Sequence, residues 1–198
     1  MTPDMIIALV GFAFVMSISP GPGNFLLLAS GANFGFARSL PLLLGISGGF
    51  LSMVFAVGIG LGAVLKTYPA IDIALRIACG LYVAWLAVRI ARSRSLGEGA
   101  AVAEPVGFAE AAAFQLLNPK AWAVALIVTV SYTQPDRLLP SLAAVIAVFA
   151  VVNLPSLGVW VLSGTALRRV LAEGRRIVIF NIAMAALLVA SMIPALMR

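Results

Sequence analysis

Apolar residues run along this chain in blocks of about 20, the length a helix needs to cross the roughly 30 Å hydrocarbon core of a bilayer. Six blocks stand out, at about 4–28, 41–65, 69–91, 109–132, 138–162 and 178–197. Each predicts a transmembrane helix. Polar punctuation separates them. Residues 33–41 hold Gly35, Arg38 and Pro41, and "KTYP" (66–69) divides the second block from the third. "TQPDRLLP" (133–140) reads as a tight turn with two prolines, and "RRVLAEGRR" (168–176) is basic and amphipathic. The longest polar connector, "RSRSLGEGAAVAEPVG" (92–107), has the Gly, Ser, Ala and Glu content of a flexible linker.

That linker, about 92–108, splits the chain into halves of three blocks, about 1–91 and 109–198. The first block of each half carries a proline break: "SPGPGN" (19–24) and "LNPKAW" (117–122). The third blocks align loosely, "RIACGLYVAWLAVRI" (76–90) with "NIAMAALLVASMIPA" (181–195). Three is odd, so such halves cross the membrane in opposite senses. The predicted fold is all-α and polytopic, a single transmembrane domain over 1–198. It has six transmembrane helices, arranged as two inverted three-helix repeats with broken first helices.

Composition agrees. Hydrophobic residues make up 63% of the chain, mean hydropathy is +1.12, and only 10% of residues are charged. A soluble domain carries about 25%. The net charge of +6 comes mostly from arginines at block ends, which is an orientation signal rather than a nucleic-acid surface. With both termini outside, the inner loops hold eight basic residues (Arg38, Arg89, Arg92, Arg94, Arg168, Arg169, Arg175, Arg176) and the outer segments four (Lys66, Arg76, Arg137, Arg198). The positive-inside rule therefore favours outward termini. Tyr68, Trp85, Tyr132 and Trp160 fall near block ends, as an aromatic belt does. The N-terminal stretch lacks a basic leader and carries Asp4, so it reads as a span rather than a signal peptide.

The inventory excludes much chemistry. There is no histidine and one cysteine, Cys79. An intramolecular disulfide, a Cys-x-x-Cys redox pair, a His- or Cys-ligated metal and any histidine-dependent triad are ruled out. The carboxylates, Asp4, Asp72, Glu98, Glu104, Glu110, Asp136 and Glu173, all avoid mid-span positions. Neither an enzyme nor a divalent-metal exporter is supported, and no cofactor is expected.

The breaks are the candidate chemistry. Proline costs roughly 3 kcal/mol in a helix interior and glycine about 1. In a bilayer a broken helix is tolerated only where protein or water covers the freed backbone groups. Pro20 and Pro22 free carbonyls, Gly21 and Gly23 permit close approach, and Ser19 and Asn24 can hydrogen-bond a freed group or a ligand. Facing discontinuous helices mark secondary transporters, whose half-helix N-termini attract carboxylates. The plainer reading is a kink in a packed helix or a loop at the membrane surface. In the second break, Asn118 and Pro119 precede Lys120, about ten residues from either end of its block. A lysine there costs about 2.5–3.5 kcal/mol on insertion scales. It either lines a polar site or snorkels to the surface. Asn153 and Pro155 form a third polar break, and Asn181 opens the last block. Asp72 and Arg76 are spaced to pair on one helix face. Gly45/Gly49 and Gly58/Gly62 allow close helix packing, within the bundle or between subunits.

"SPGPGNFLLLASGANFGFARSLPLLLGI" (19–46), "FQLLNPKAW" (114–122) and "NLPS" (153–156) together resemble the LysE/RhtB-type family of amino-acid exporters. The likeness runs over nearly the whole chain. One position departs: the asparagine that many members carry directly after the second proline stands one place on, at Asn24 behind Gly23. The resemblance implies a multi-pass efflux carrier of the bacterial inner membrane, for amino acids or small derivatives, driven by the proton gradient or membrane potential. Its expected partners are the amino acid and the lipid bilayer, with a homo-oligomer possible and nucleic acid not involved. The expected site comprises Ser19, Pro20, Gly21, Pro22, Gly23, Asn24, Asn118, Pro119, Lys120 and Asn153. The broken helices would supply amide donors for a substrate carboxylate, and Lys120 would either hold that carboxylate or stabilise the facing break. The few carboxylates favour neutral substrates. Two alternatives stand beside this: export of another small organic solute such as a metabolite lactone, and a non-transport membrane scaffold of related fold.

Overall fold

A computed structural model describes residues 1–61, 67–92, 104–171 and 175–191. The side chains at 69, 71, 72, 75, 76 and 79 also fall outside the description. The Asp72/Arg76 pair, Cys79, Gly62 and most of the 92–107 connector therefore lie beyond it. Among the described residues the fold is helical throughout, with no strand.

Helix α1 (Pro3–Ile18) starts at Thr2, whose hydroxyl accepts from the Met5 N–H at 3.3 Å, with Pro3 in the first turn. That is the position where a missing N–H costs nothing. The chain then breaks, and α2 (Pro22–Phe34) leaves at 56° to α1. The first block is thus longer than the expected 4–28, running to Phe34. Gly35, with φ 81°, is the whole turn into α3 (Phe36–Ala56). The expected break over 33–41 shrinks to this one glycine, and Pro41 sits inside α3. The proline is tolerated because the carbonyl it would have bonded belongs to exposed Ala37, in the first turn. After α3 comes a π-helical turn, Val57–Leu61.

Helix α4 (Pro69–Ala91) matches its predicted block. The fourth block divides into α5 (Phe108–Leu116) and α6 (Pro119–Tyr132), bent by 68°. A short 3₁₀ turn at Pro135–Arg137 leads into α7 (Leu138–Leu171), and α8 (Arg176–Ala190) follows. Helix α7 has 34 residues and runs on through Pro155, so the polar break expected at Asn153 and Pro155 does not form; its length is about 51 Å at 1.5 Å per residue. It overruns the predicted 138–162 and absorbs the start of the basic 168–176 stretch. Leucine, alanine and arginine in that stretch are good helix formers, and nothing there breaks the helix before Leu171.

Two stretches, Phe36–Leu61 and Pro135–Leu171, are long and apolar enough to cross a membrane, and the two bent pairs qualify if each counts as one span. Among the described residues there are thus two to four candidate spans by length and composition.

Helix α2 is the hub. Ten of its thirteen residues are buried, and it packs most extensively on α7, then on α3 and α8. Two glycines make the α2–α7 contact. A Cβ on Gly31 would collide with the Val161 carbonyl, and one on Gly164 with the Leu28 carbonyl. Gly45 and Gly49 play the same part between α3 and α5, against Phe108, Ala111 and Ala112. The close packing expected of that pair is therefore within the chain. Buried polar groups pin the hub. Asn33 and Asn181 exchange amide hydrogen bonds at 2.8 and 3.1 Å, and Ser30 and Ser39 lie 2.7 Å apart. Arg38 stands over the Phe34 ring, Arg168 lies beside Gly35, and Arg89 shares a cavity with Phe34. Three of the expected inner arginines thus gather at one end.

Candidate functional site

The C-terminal end of α1 leaves carbonyls that no following helical turn can satisfy. Each one from Val15 to Ser19 has a partner. The Ser19 N–H donates to Val15 O at 3.0 Å, and the Ser19 hydroxyl to Met16 O at 3.2 Å. Asn24 Nδ2 donates to Ser17 O at 2.9 Å and to Ser19 O at 2.7 Å. Trp160 Nε1 reaches Ile18 O at 3.1 Å. Lys120 Nζ, coming from the second break, donates to Ser19 O at 2.7 Å and to Ser19 Oγ at 2.9 Å. The proline break is therefore a filled junction rather than a bend left to lipid.

The second break is built in the same manner. Asn118 caps α6: its Oδ1 accepts from the Lys120 N–H at 3.1 Å, while its Nδ2 donates to Gln115 Oε1 at 3.0 Å. Trp122 Nε1 closes the Leu116 carbonyl at 2.8 Å. Pro119 occupies the first helical position, with its ring φ already suited to it. The helix starts at Pro22 and Pro119 both present N-terminal ends to this junction.

Between the breaks lies a cavity of about 60 Å³, lined by Ser17, Asn24, Gln115, Lys120 and Asn153 among apolar Ile46, Phe50, Val124, Phe149 and Leu157. Lys120 is the one charged side chain on its wall among the described residues. Asn153 enters from α7 and donates to Ser47 Oγ at 3.4 Å, which ties α7 to α3 across the cavity. Of the residues singled out from sequence, Asn24, Lys120 and Asn153 line the cavity, and Ser19 and Asn118 bond to Lys120 beside it. Gly21, extended at φ −177°, lies directly against the Lys120 side chain. Gly23 is buried against Ile46 and Phe114, Pro22 opens α2, and Pro20 is exposed.

Three contributors were missed in the sequence. Gln115 and Ser17 look like ordinary polar residues in apolar runs. Trp160 was assigned to an aromatic belt, yet its indole N–H holds the first break and its ring meets Phe25 edge-on at 6.1 Å. The signal available for Gln115 was its place three residues before Asn118.

A second polar cluster lies at the arginine-rich end. Arg89 on α4 pairs with Glu110 on α5 at 3.3 Å, Tyr82 donates to the same carboxylate at 2.9 Å, and Arg89 also donates to the Glu104 carbonyl.

The sequence matches the LysE type translocator family over residues 14–192. The chain belongs to this family. Curated relatives cover it almost end to end. The cysteine/O-acetylserine efflux proteins of Escherichia coli (strain K12) and Shigella sonnei (strain Ss046) are each 30% identical over 192 residues, 96% of both chains. That of Escherichia coli O139:H28 is 29% identical over the same length. No solved structure matches.

Proposed function

We propose that this LysE type translocator exports amino acids or small amino-acid derivatives from the bacterial cytoplasm, by alternating access around the cavity between the two breaks. One observation carries the reading. Lys120 is held at the junction of two broken helices and lines a cavity whose other polar groups are amides and a serine hydroxyl. A scaffold gains nothing from that arrangement, which costs about 2.5–3.5 kcal/mol on insertion scales.

Site chemistry supports small neutral substrates. Among the described residues the cavity wall carries one cation, three amides and no carboxylate, so a cationic side chain finds no counter-ion among them. The relatives named for cysteine and O-acetylserine efflux point the same way. In this reading the two halves are inverted repeats that rock around the breaks in the inner membrane. The arginine-rich end faces the cytoplasm and both termini face outward.

The test is efflux from proteoliposomes loaded with labelled S-methyl-L-cysteine, O-acetyl-L-serine, leucine or lysine. Faster loss of the small neutral compounds than from protein-free liposomes is expected. Equal loss of every amino acid from both preparations overturns the proposal.

A further inference from the structure

The donors at the end of α1 are unequal. Asn24 supplies an ordinary amide to Ser17 O and Ser19 O. Lys120 supplies an ammonium, seated on both the carbonyl and the hydroxyl of Ser19. The carboxyl end of a helix bears roughly half a negative charge, and a compact ammonium is its natural ligand. Within the same junction lie the amino ends of α2 and α6, at Pro22 and Pro119, where negative charge is favoured. An α-amino acid carries an ammonium and a carboxylate on one carbon, and its two charges match these opposed helix ends.

We propose that the Ser19 carbonyl, at the carboxyl end of α1, is the recognition site for the substrate's ammonium group, and that Lys120 occupies this site as a stand-in while the substrate is absent. On binding, the substrate ammonium displaces Lys120 Nζ from Ser19, and the released lysine turns to the substrate carboxylate. The exchange leaves the Ser19 carbonyl with a charged donor in either state, as backbone groups within a bilayer require a partner. It also makes the free ammonium a condition of binding, so the site selects zwitterions over simple carboxylic acids.

The inference rests on the cavity being the transport site, and binding separates the two claims. The protein in nanodiscs is titrated with S-methyl-L-cysteine, its N-acetyl derivative and its methyl ester. For the wild type, N-acetylation is expected to weaken binding by about tenfold or more, the loss of hydrogen bonds to a charged group. Lys120→Met is expected to weaken the zwitterion comparably. It should bind the methyl ester about tenfold more tightly than the wild type does, because the competing ammonium is gone. Ser19→Ala, which removes only the hydroxyl half of the lysine's seat, should shift the ester in the same direction by less, and it guards against misfolding of the methionine variant. Binding of the N-acetyl compound as tight as the parent, or no gain for the ester in either variant, overturns the inference. So does a wild type that binds none of the three. Zwitterion binding with the expected pattern but no efflux of any amino acid refutes the transport reading instead.

Discussion

A Cβ placed on Gly21 would lie 2.8 Å from Cδ of Lys120. The missing side chain at position 21 is thus the passage through which the lysine crosses from one break to the other. The obstacle a larger residue would meet is a flexible stem rather than backbone, so the lysine gives way and the fold does not. Gly21→Ala is expected to fold and express near normally while efflux falls by about tenfold, the loss of a charged hydrogen bond. Efflux assays normalised to protein in the membrane check this; wild-type transport would show that the lysine's path does not matter.

The glycines at the α2–α7 contact behave differently, because they face backbone. Gly31→Ala and Gly164→Ala each force two helices apart at the hub. Overpacking of this kind costs about 1–3 kcal/mol. Thermal unfolding in detergent should show both variants less stable than wild type. Gly11→Ala, inside α1 with open space around it, serves as the control and should be as stable as wild type or more so, by up to about 1 kcal/mol.

The Arg89–Glu110 pair invites more credit than it has. Its side chains are 22% and 33% exposed, and pairs of that kind are worth about 0–1 kcal/mol. A double-mutant cycle with Arg89→Gln and Glu110→Gln should give a coupling within that range. The same cycle read by efflux tests whether the link between α4 and α5 matters more to transport than to folding.

Orientation has a simple check. The proposed orientation, with both termini outside the cytoplasm, rests on the basic-residue count. Reporter fusions at either end should be active only on the periplasmic side, and a cytoplasmically active fusion would reverse the topology.

Sequence made the breaks legible because proline and glycine act locally. "SPGPGN" and "LNPKAW" are strong local breakers, and Pro22 and Pro119 start new helices there. Pro41 shows the limit of that logic: the same residue type near an exposed helix start was absorbed. What could not be read was which distant groups fill the breaks. Trp160 lies 142 residues from its partner Ile18, and Lys120 lies 101 from Ser19. Those pairings depend on α7 and α6 being laid against α1, which no local pattern encodes. The reach of the first block to Phe34 was missed for a related reason. Asn33 looked like punctuation, yet its amide is paired with Asn181 from α8, so a polar residue sits inside the helix at no cost to its burial.

Lys120 is where the account stands or falls. Asn24 still donates to Ser19 O when the ammonium is removed, so Lys120→Met leaves no bare carbonyl and should fold and insert as well as wild type. The decisive measurement is efflux of labelled S-methyl-L-cysteine from proteoliposomes holding equal amounts of wild-type and Lys120→Met protein with matching thermal unfolding profiles. Transport reduced to the protein-free background in the methionine variant is the predicted result. A wild-type rate in that variant would contradict the claim that the lysine spanning the two breaks works at the site of transport.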